Sequence, residues 1–157
     1  MSKKIYIIGI IIFIIDQITK CIISSYLKLN ESITIIKDYF YIKYINNTGA
    51  SWGILSNNRI LLIVLSIIAL IILIRYINTF KKTKLNEIGF GFLLGGIIGN
   101  LCDRLLFGYV KDFIDLIVLH YDFPVFNIAD IFIVCGVILL IISIIRGEDS
   151  NGVKSSR

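Results

Sequence analysis

The sequence predicts an all-α membrane protein, a single unit over residues 1–157 built as a bundle of four transmembrane helices with a small β-rich flap outside the bilayer. Three observations carry that prediction. Hydrophobic residues make up 57% of the chain and its mean hydropathy is +0.87, above the roughly 45–50% apolar content of soluble domains. Four apolar stretches, at about 5–23, 60–77, 88–107 and 126–145, match the ~20 residues a helix needs to cross hydrocarbon. The net charge of +5 does not point to nucleic acid, because the basic residues sit between apolar spans rather than on one face among aromatic readers.

Lipid offers backbone groups no partner outside their own segment, so the four stretches are expected to be helices. The basic residues orient them. Lys3, Lys4, Arg75, Lys81, Lys82, Lys84, Arg146, Lys154 and Arg157 fall on the side of the termini, against Lys28, Lys37, Lys43, Arg59 and Lys111 on the other. The positive-inside rule makes the richer side cytoplasmic. Loops 28–59 and 108–125 then face outward, and the tail 147–157, polar and without periodicity, is an unstructured cytoplasmic end.

The first span follows M-S-K-K and lacks an A-x-A-like cleavage site, so it is read as retained. Its apolar run breaks at Asp16, Gln17, Thr19 and Lys20. Asp16 and Lys20 are four apart and share a helix face, which suits a buried ion pair between helices or a contact to substrate. The loop that follows, T-I-I-K-D-Y-F-Y-I-K-Y-I, reads as one or two strands, with a turn at Asn46-Asn47-Thr48-Gly49 and Trp52 at the interfacial belt. The second span is scaffold. In the third, Gly91, Gly95 and Gly99 recur every fourth residue, a pattern that lets helix backbones approach closely. That places this helix at the centre and turns Asn100, Asp103 and Arg104 toward protein. The fourth begins after Pro124, with Asn127 and Asp130 in its first turns. Cys21, Cys102 and Cys135 have no disulfide or zinc spacing and are read as small buried residues.

Carboxyl groups carry the chemistry. Asp103, Asp112, Asp115, Asp122 and Asp130 fall between Gly99 and Asp130, and an ionisable group inside a span marks a functional site. The chain has neither H-E-x-x-H nor G-x-S-x-G, and His120 is its one histidine, without a companion for a metal. A Ser/Lys pair of Lys20 with Ser24, Ser25 or Ser51 is conceivable, but Asp16 beside Lys20 would keep the amine charged. Two adjacent acids can instead share one proton, one activating water while the other donates. Asp130 is one member; Asp103 and Asp112 compete for the second place, with the geometry of a chain folding back past Gly108 favouring Asp112. A proton-coupled transporter would need charged groups spaced through the membrane depth. Here they cluster toward the outward ends of the first, third and fourth spans.

The motifs D-Q-I-T-K (Asp16–Lys20), N-T-G-A-S-W-G (Asn47–Gly53), G-N-L-C-D-R (Gly99–Arg104), V-K-D-F (Val110–Phe113) and F-N-I-A-D (Phe126–Asp130) occur in this order. On them the chain resembles the lipoprotein signal peptidases, the type II signal peptidases of bacteria, from Asp16 to Asp130. The resemblance implies an aspartic endopeptidase of the bacterial cytoplasmic membrane, with its active site near the outer face. It would cut diacylglyceryl-modified prolipoproteins on the amino side of the lipid-modified cysteine. It implies Asp112 and Asp130 as the catalytic pair, with Asp16, Lys20, Asn47, Gly49, Asn100, Asp103, Arg104 and Asn127 binding substrate or supporting the pair. It also implies an outward β-cradle, a short outward helix between the third and fourth spans, and sensitivity to globomycin. No metal or cofactor is expected, and the chain is expected to be a monomer among membrane lipids. Lys111 and Ser51 depart from the family's usual valine and alanine. A lysine beside Asp112 would favour its ionised form, or reach to lipid headgroups instead.

Overall fold

The computed structural model describes residues 2–49 and 55–149. Eight elements follow in order: α1 (Lys3–Tyr26), β1 (Ser32–Ile36), β2 (Phe40–Asn47), α2 (Arg59–Ile77), α3 (Lys84–Leu106), β3 (Val110–Val118), β4 (Tyr121–Asp122) and α4 (Ile128–Ile145). All four helices are long and apolar enough to cross a membrane.

The architecture is therefore not all-α. One antiparallel sheet in the order β1-β2-β3-β4 is assembled from both long connections. Residues 108–125 hold no helix. V-K-D-F-I-D-L-I-V is rich in β-branched and aromatic residues, which favour the pleat. It pairs with β2 from Phe40↔Leu116 to Asn47↔Val110. Asn46 and Asn47 accordingly belong to β2 rather than to the expected turn. By connectivity every helix meets the sheet at the same end of the bundle, and that end carries the site.

Over its apolar window α3 is 61% buried, against 22% for α1 and 17% for each of α2 and α4, so α3 is the centre, as its glycines predict. A Cβ on Gly95 would lie 2.6 Å from Gly9 O of α1, and one on Gly96 would lie 2.6 Å from Ala129 O of α4. Any larger residue would push one helix away. The apolar core of Ile5, Leu73, Ile77, Phe90, Leu93 and Leu94 lies toward the other end. Ile7, Ile11, Ile14, Ile68, Ile72 and Ile138 are exposed, as side chains facing lipid should be.

The helix limits move for local reasons. α3 starts at Lys84, four residues earlier than expected, because the Thr83 side chain caps it by accepting from Asn86 N. α4 starts at Ile128 rather than 126, because Phe126 still bridges to Ile114. α1 is longer than expected at both ends. Cys21 is exposed on the lipid-facing side of α1, not buried. The first part of the tail is also held: Glu148 O accepts from Lys81 N at 3.2 Å and from Asn86 Nδ2 at 2.9 Å. Residues 150–157, and Ser51 and Trp52, lie outside the described residues.

Candidate active site

Two polar assemblies occupy the sheet end of the bundle. The first is sealed. Asp16, Lys20 and Asp103 are each at most 1% exposed, and Lys20 Nζ lies 2.8 Å from Asp16 Oδ2 and 3.2 Å from Asp103 Oδ2. Its third proton goes to Asn100 Oδ1 at 2.9 Å, so all three ammonium donors are used. Arg104 adjoins Asp103 in the sequence, but the partner of Asp103 is Lys20. Successive helical residues point about 100° apart, and Arg104 turns away to donate from Nη2 to Gly49 O at 3.1 Å. Asp16 also reaches α4, accepting from Ala129 N at 3.0 Å.

The second assembly holds Asp112 and Asp130. F-N-I-A-D places them by a reciprocal cap: Asn127 is the N-cap of α4, its side chain accepts from Asp130 N, and Asp130 Oδ2 accepts from Asn127 N, each at 3.1 Å. With its carbonyl oxygen engaged, the Asn127 amide donates to Asp112 Oδ1 at 2.6 Å and to Asn100 Oδ1 at 3.1 Å. Asn47 Nδ2 donates to Asp112 Oδ2 at 2.8 Å, and Asn100 Nδ2 donates to Asp130 Oδ1 at 2.7 Å. Asn47 is held in turn by Gly49 N, which donates to its Oδ1 at 2.9 Å. All ten residues singled out in the sequence thus fall into one connected network.

Asp112 and Asp130 both line a cavity of about 690 Å³. Its polar edge includes Asn47, Asn100 and Arg104; its walls are apolar, from Leu62, Leu65 and Ala69 of α2 to Ile133 and Val134 of α4. Burial, followed by the charge of Asp130, pushes the Asp112 carboxyl up to about 7, against the opposing hydrogen bonds of Asn47 and Asn127. The Asp112 carboxyl is therefore placed to exchange a proton near neutrality. Asp103, the competitor for the second place, does not line this cavity.

Lys111 does not approach Asp112. Adjacent strand residues face opposite ways, and Lys111 Nζ sits 4.3 Å from the centre of the Phe107 ring, with Ser24 Oγ at 3.5 Å. The Ser/Lys alternative also lapses among the described residues: Ser24 and Ser25 hydrogen-bond to carbonyls of their own helix, while Lys20 is enclosed by its acids. Among the described residues no three His, Cys, Asp or Glu side chains are grouped to hold a metal ion.

Three participants were not singled out in the sequence. Gln17 joins Asp16 to Asp103. Arg59 closes the end of α3, donating from Nε to Arg104 O and from Nη2 to Leu105 O, each at 2.8 Å. Phe123–Phe126 form a cavity wall. Gln17 was visible as a polar break in an apolar helix; the other two depend on which loops meet.

Residues 8–146 match the family model for signal peptidase (SPase) II. A lipoprotein signal peptidase of Halothermothrix orenii is 38% identical over 144 residues, 92% of this chain and 97% of the relative. One from Staphylococcus haemolyticus is 37% identical over 157 residues, covering 96% and 99%. A bacterial membrane enzyme solved by the in meso method at 2.3 Å resolution aligns with a TM-score of 0.82 and 36% identity, over 96% of this chain and 93% of that one. With the motifs, the four helices and the full-length likeness in agreement, the chain belongs to the signal peptidase II family of membrane peptidases.

Proposed function

We propose that the chain removes signal peptides from diacylglyceryl-modified prolipoproteins, cutting on the amino side of the modified cysteine, with Asp112 and Asp130 activating water as a pair. The observation that carries this is the shared cavity. Two carboxyl groups open onto one apolar-walled space, hydrogen-bonded by neutral amides, with the Arg104 guanidinium at the polar edge of the cavity and no direct ion pair to either carboxyl among the described residues. Without a direct ion pair a proton stays exchangeable, whereas a lysine in contact would fix the charge.

In the reaction the ionised aspartate takes a proton from water as the oxygen attacks the scissile carbonyl. The protonated one hydrogen-bonds the carbonyl oxygen, then passes its proton to the leaving amine as the C–N bond breaks. Nδ2 of Asn127 and Nδ2 of Asn100 hold the two carboxyl groups at fixed orientation, which lowers the reorganisation needed at the moment of attack. The apolar wall suits an apolar signal segment and acyl chains.

The distribution of Lys and Arg supports cytoplasmic termini and a site at the outer face of the bacterial cytoplasmic membrane. The sheet is then the outward cradle. We further propose a monomer surrounded by lipid, and inhibition by globomycin through occupation of the same cavity. The test is cleavage of a diacylglyceryl-modified precursor and of its unmodified counterpart by the purified full chain, with and without globomycin. The reading expects cleavage of the modified precursor alone, abolished by globomycin; equal cleavage of both precursors contradicts it.

A further inference from the structure

We infer that Gln17 is a positioning residue for Asp112, acting through Asp103 and the backbone of β3. The inference rests on the reading of Asp112 as catalytic, but its structural half does not.

The sealed assembly sets two carboxyl groups, Asp16 and Asp103, against one ammonium, Lys20. Lys20 cannot balance both. The Gln17 amide lies between them, with Nε2 at 3.1 Å from Asp16 Oδ2, 3.2 Å from Asp103 Oδ1 and 3.3 Å from Gly99 O. An amide group has two protons for these three acceptors, so Gln17 is shared across the α1–α3 contact at the point where Gly99 brings the helices together. A neutral donor supplies what a second cation would supply, without adding charge.

Asp103 then has its two oxygens assigned to different tasks. Oδ1 is held by Gln17; Oδ2 accepts from Lys20 and, at 3.1 Å, from the backbone N–H of Lys111. Lys111 immediately precedes Asp112. The N–H of Lys111 therefore fixes β3 against α3 one residue from the carboxyl that opens onto the cavity. If the Gln17 hold is removed, Asp103 can rotate about its side chain toward Lys20 alone, and its grip on the Lys111 N–H loosens. A displacement of the order of an ångström in a reacting group lowers rates by up to about a hundredfold.

Gln17→Met keeps the length and apolar stem of the side chain while removing the donor. Two readouts on the full chain in detergent or nanodiscs separate positioning from bulk support. Hydrogen exchange at the Lys111 amide should accelerate at least tenfold, with the α1 and α3 amides away from residue 17 unchanged. In cleavage of the lipid-modified precursor, kcat should fall about tenfold with KM unchanged. Gln17→Glu, which sets a third carboxyl group between the other two, should lose more. Unchanged Lys111 exchange in Gln17→Met overturns the inference, as does acceleration spread evenly along α1 and α3. Accelerated exchange at Lys111 with an unaltered kcat keeps the linkage but overturns its role in the reaction. Full activity of Asp112→Asn would instead remove the underlying reading of Asp112, and the exchange result would still stand.

Discussion

The two acid assemblies lie within a few residues of one another in the fold and are built from the same side-chain types, yet they are set up for opposite ends. Around Asp16 and Asp103 the partners are Lys20, Gln17 and backbone N–H groups, and no carboxyl reaches the cavity. Around Asp112 and Asp130 the side-chain donors are the amides of Asn47, Asn100 and Asn127, and both carboxyls line the cavity. The first arrangement fixes charge and ties α1, α3 and α4 together. The second leaves a proton to be moved. Asn100 belongs to both, accepting from Lys20 and donating to Asp130, so a neutral amide stands between the ammonium and the second pair.

The contrast can be broken from either side. The largest effect is expected at the reactive pair: Asp112→Asn or Asp130→Asn should each lower kcat by about a thousandfold or more, as loss of a residue acting within a unit does, with thermal unfolding in detergent changed little. In the sealed cluster the order reverses. Lys20→Met leaves two buried carboxyl groups facing each other and should cost about 3–5 kcal/mol of stability, read as a lowered unfolding midpoint that precedes any kinetic analysis. Gly99→Ala should come next, at about 1–3 kcal/mol, since its Cβ would fall 2.5 Å from Asp16 Oδ2 and force the two helices apart. The smallest effect belongs to Arg59→Ala, which removes two exposed hydrogen bonds to the end of α3 and should cost about 1 kcal/mol with cleavage retained.

Much of this was legible in the chain before any coordinates. Four spans follow from apolar length, the central place of α3 from Gly91, Gly95 and Gly99, and the Asp16–Lys20 pair from i,i+4 spacing, because each depends on contacts between near neighbours or on a single periodicity. The reciprocal cap within F-N-I-A-D was not legible in the sequence, which had the helix begin at 126 with Asn127 inside it. What the chain did not disclose depends on pairing across long separations. β2 and β3 belong to different connections, so the four-stranded sheet, and the strand in place of an expected short helix, required knowing that Asn47 meets Val110. The choice of Lys20 over Arg104 as partner of Asp103 likewise rests on the rotation of one helix against another. The resemblance, rather than the residues alone, separated Asp112 from Asp103.

The claim at the centre is that burial and the neighbouring Asp130 leave the Asp112 carboxyl able to exchange a proton near neutrality. Its carboxyl is pushed up from the ordinary 3.8 to about 7 by burial and by Asp130. A raised value means the folded chain binds the extra proton, so the contribution to stability is full below about 3.8, declines as pH rises, and is lost once pH passes about 7. Activity has the same sign on its alkaline side: above that point Asp112 no longer holds the proton that the proposed reaction passes on. The most direct measurement is the pH dependence of kcat/KM for cleavage of a diacylglyceryl-modified precursor, taken through neutrality on the full chain. The account predicts an alkaline limb with its midpoint near 7; a rate that stays level well into the alkaline range would contradict it.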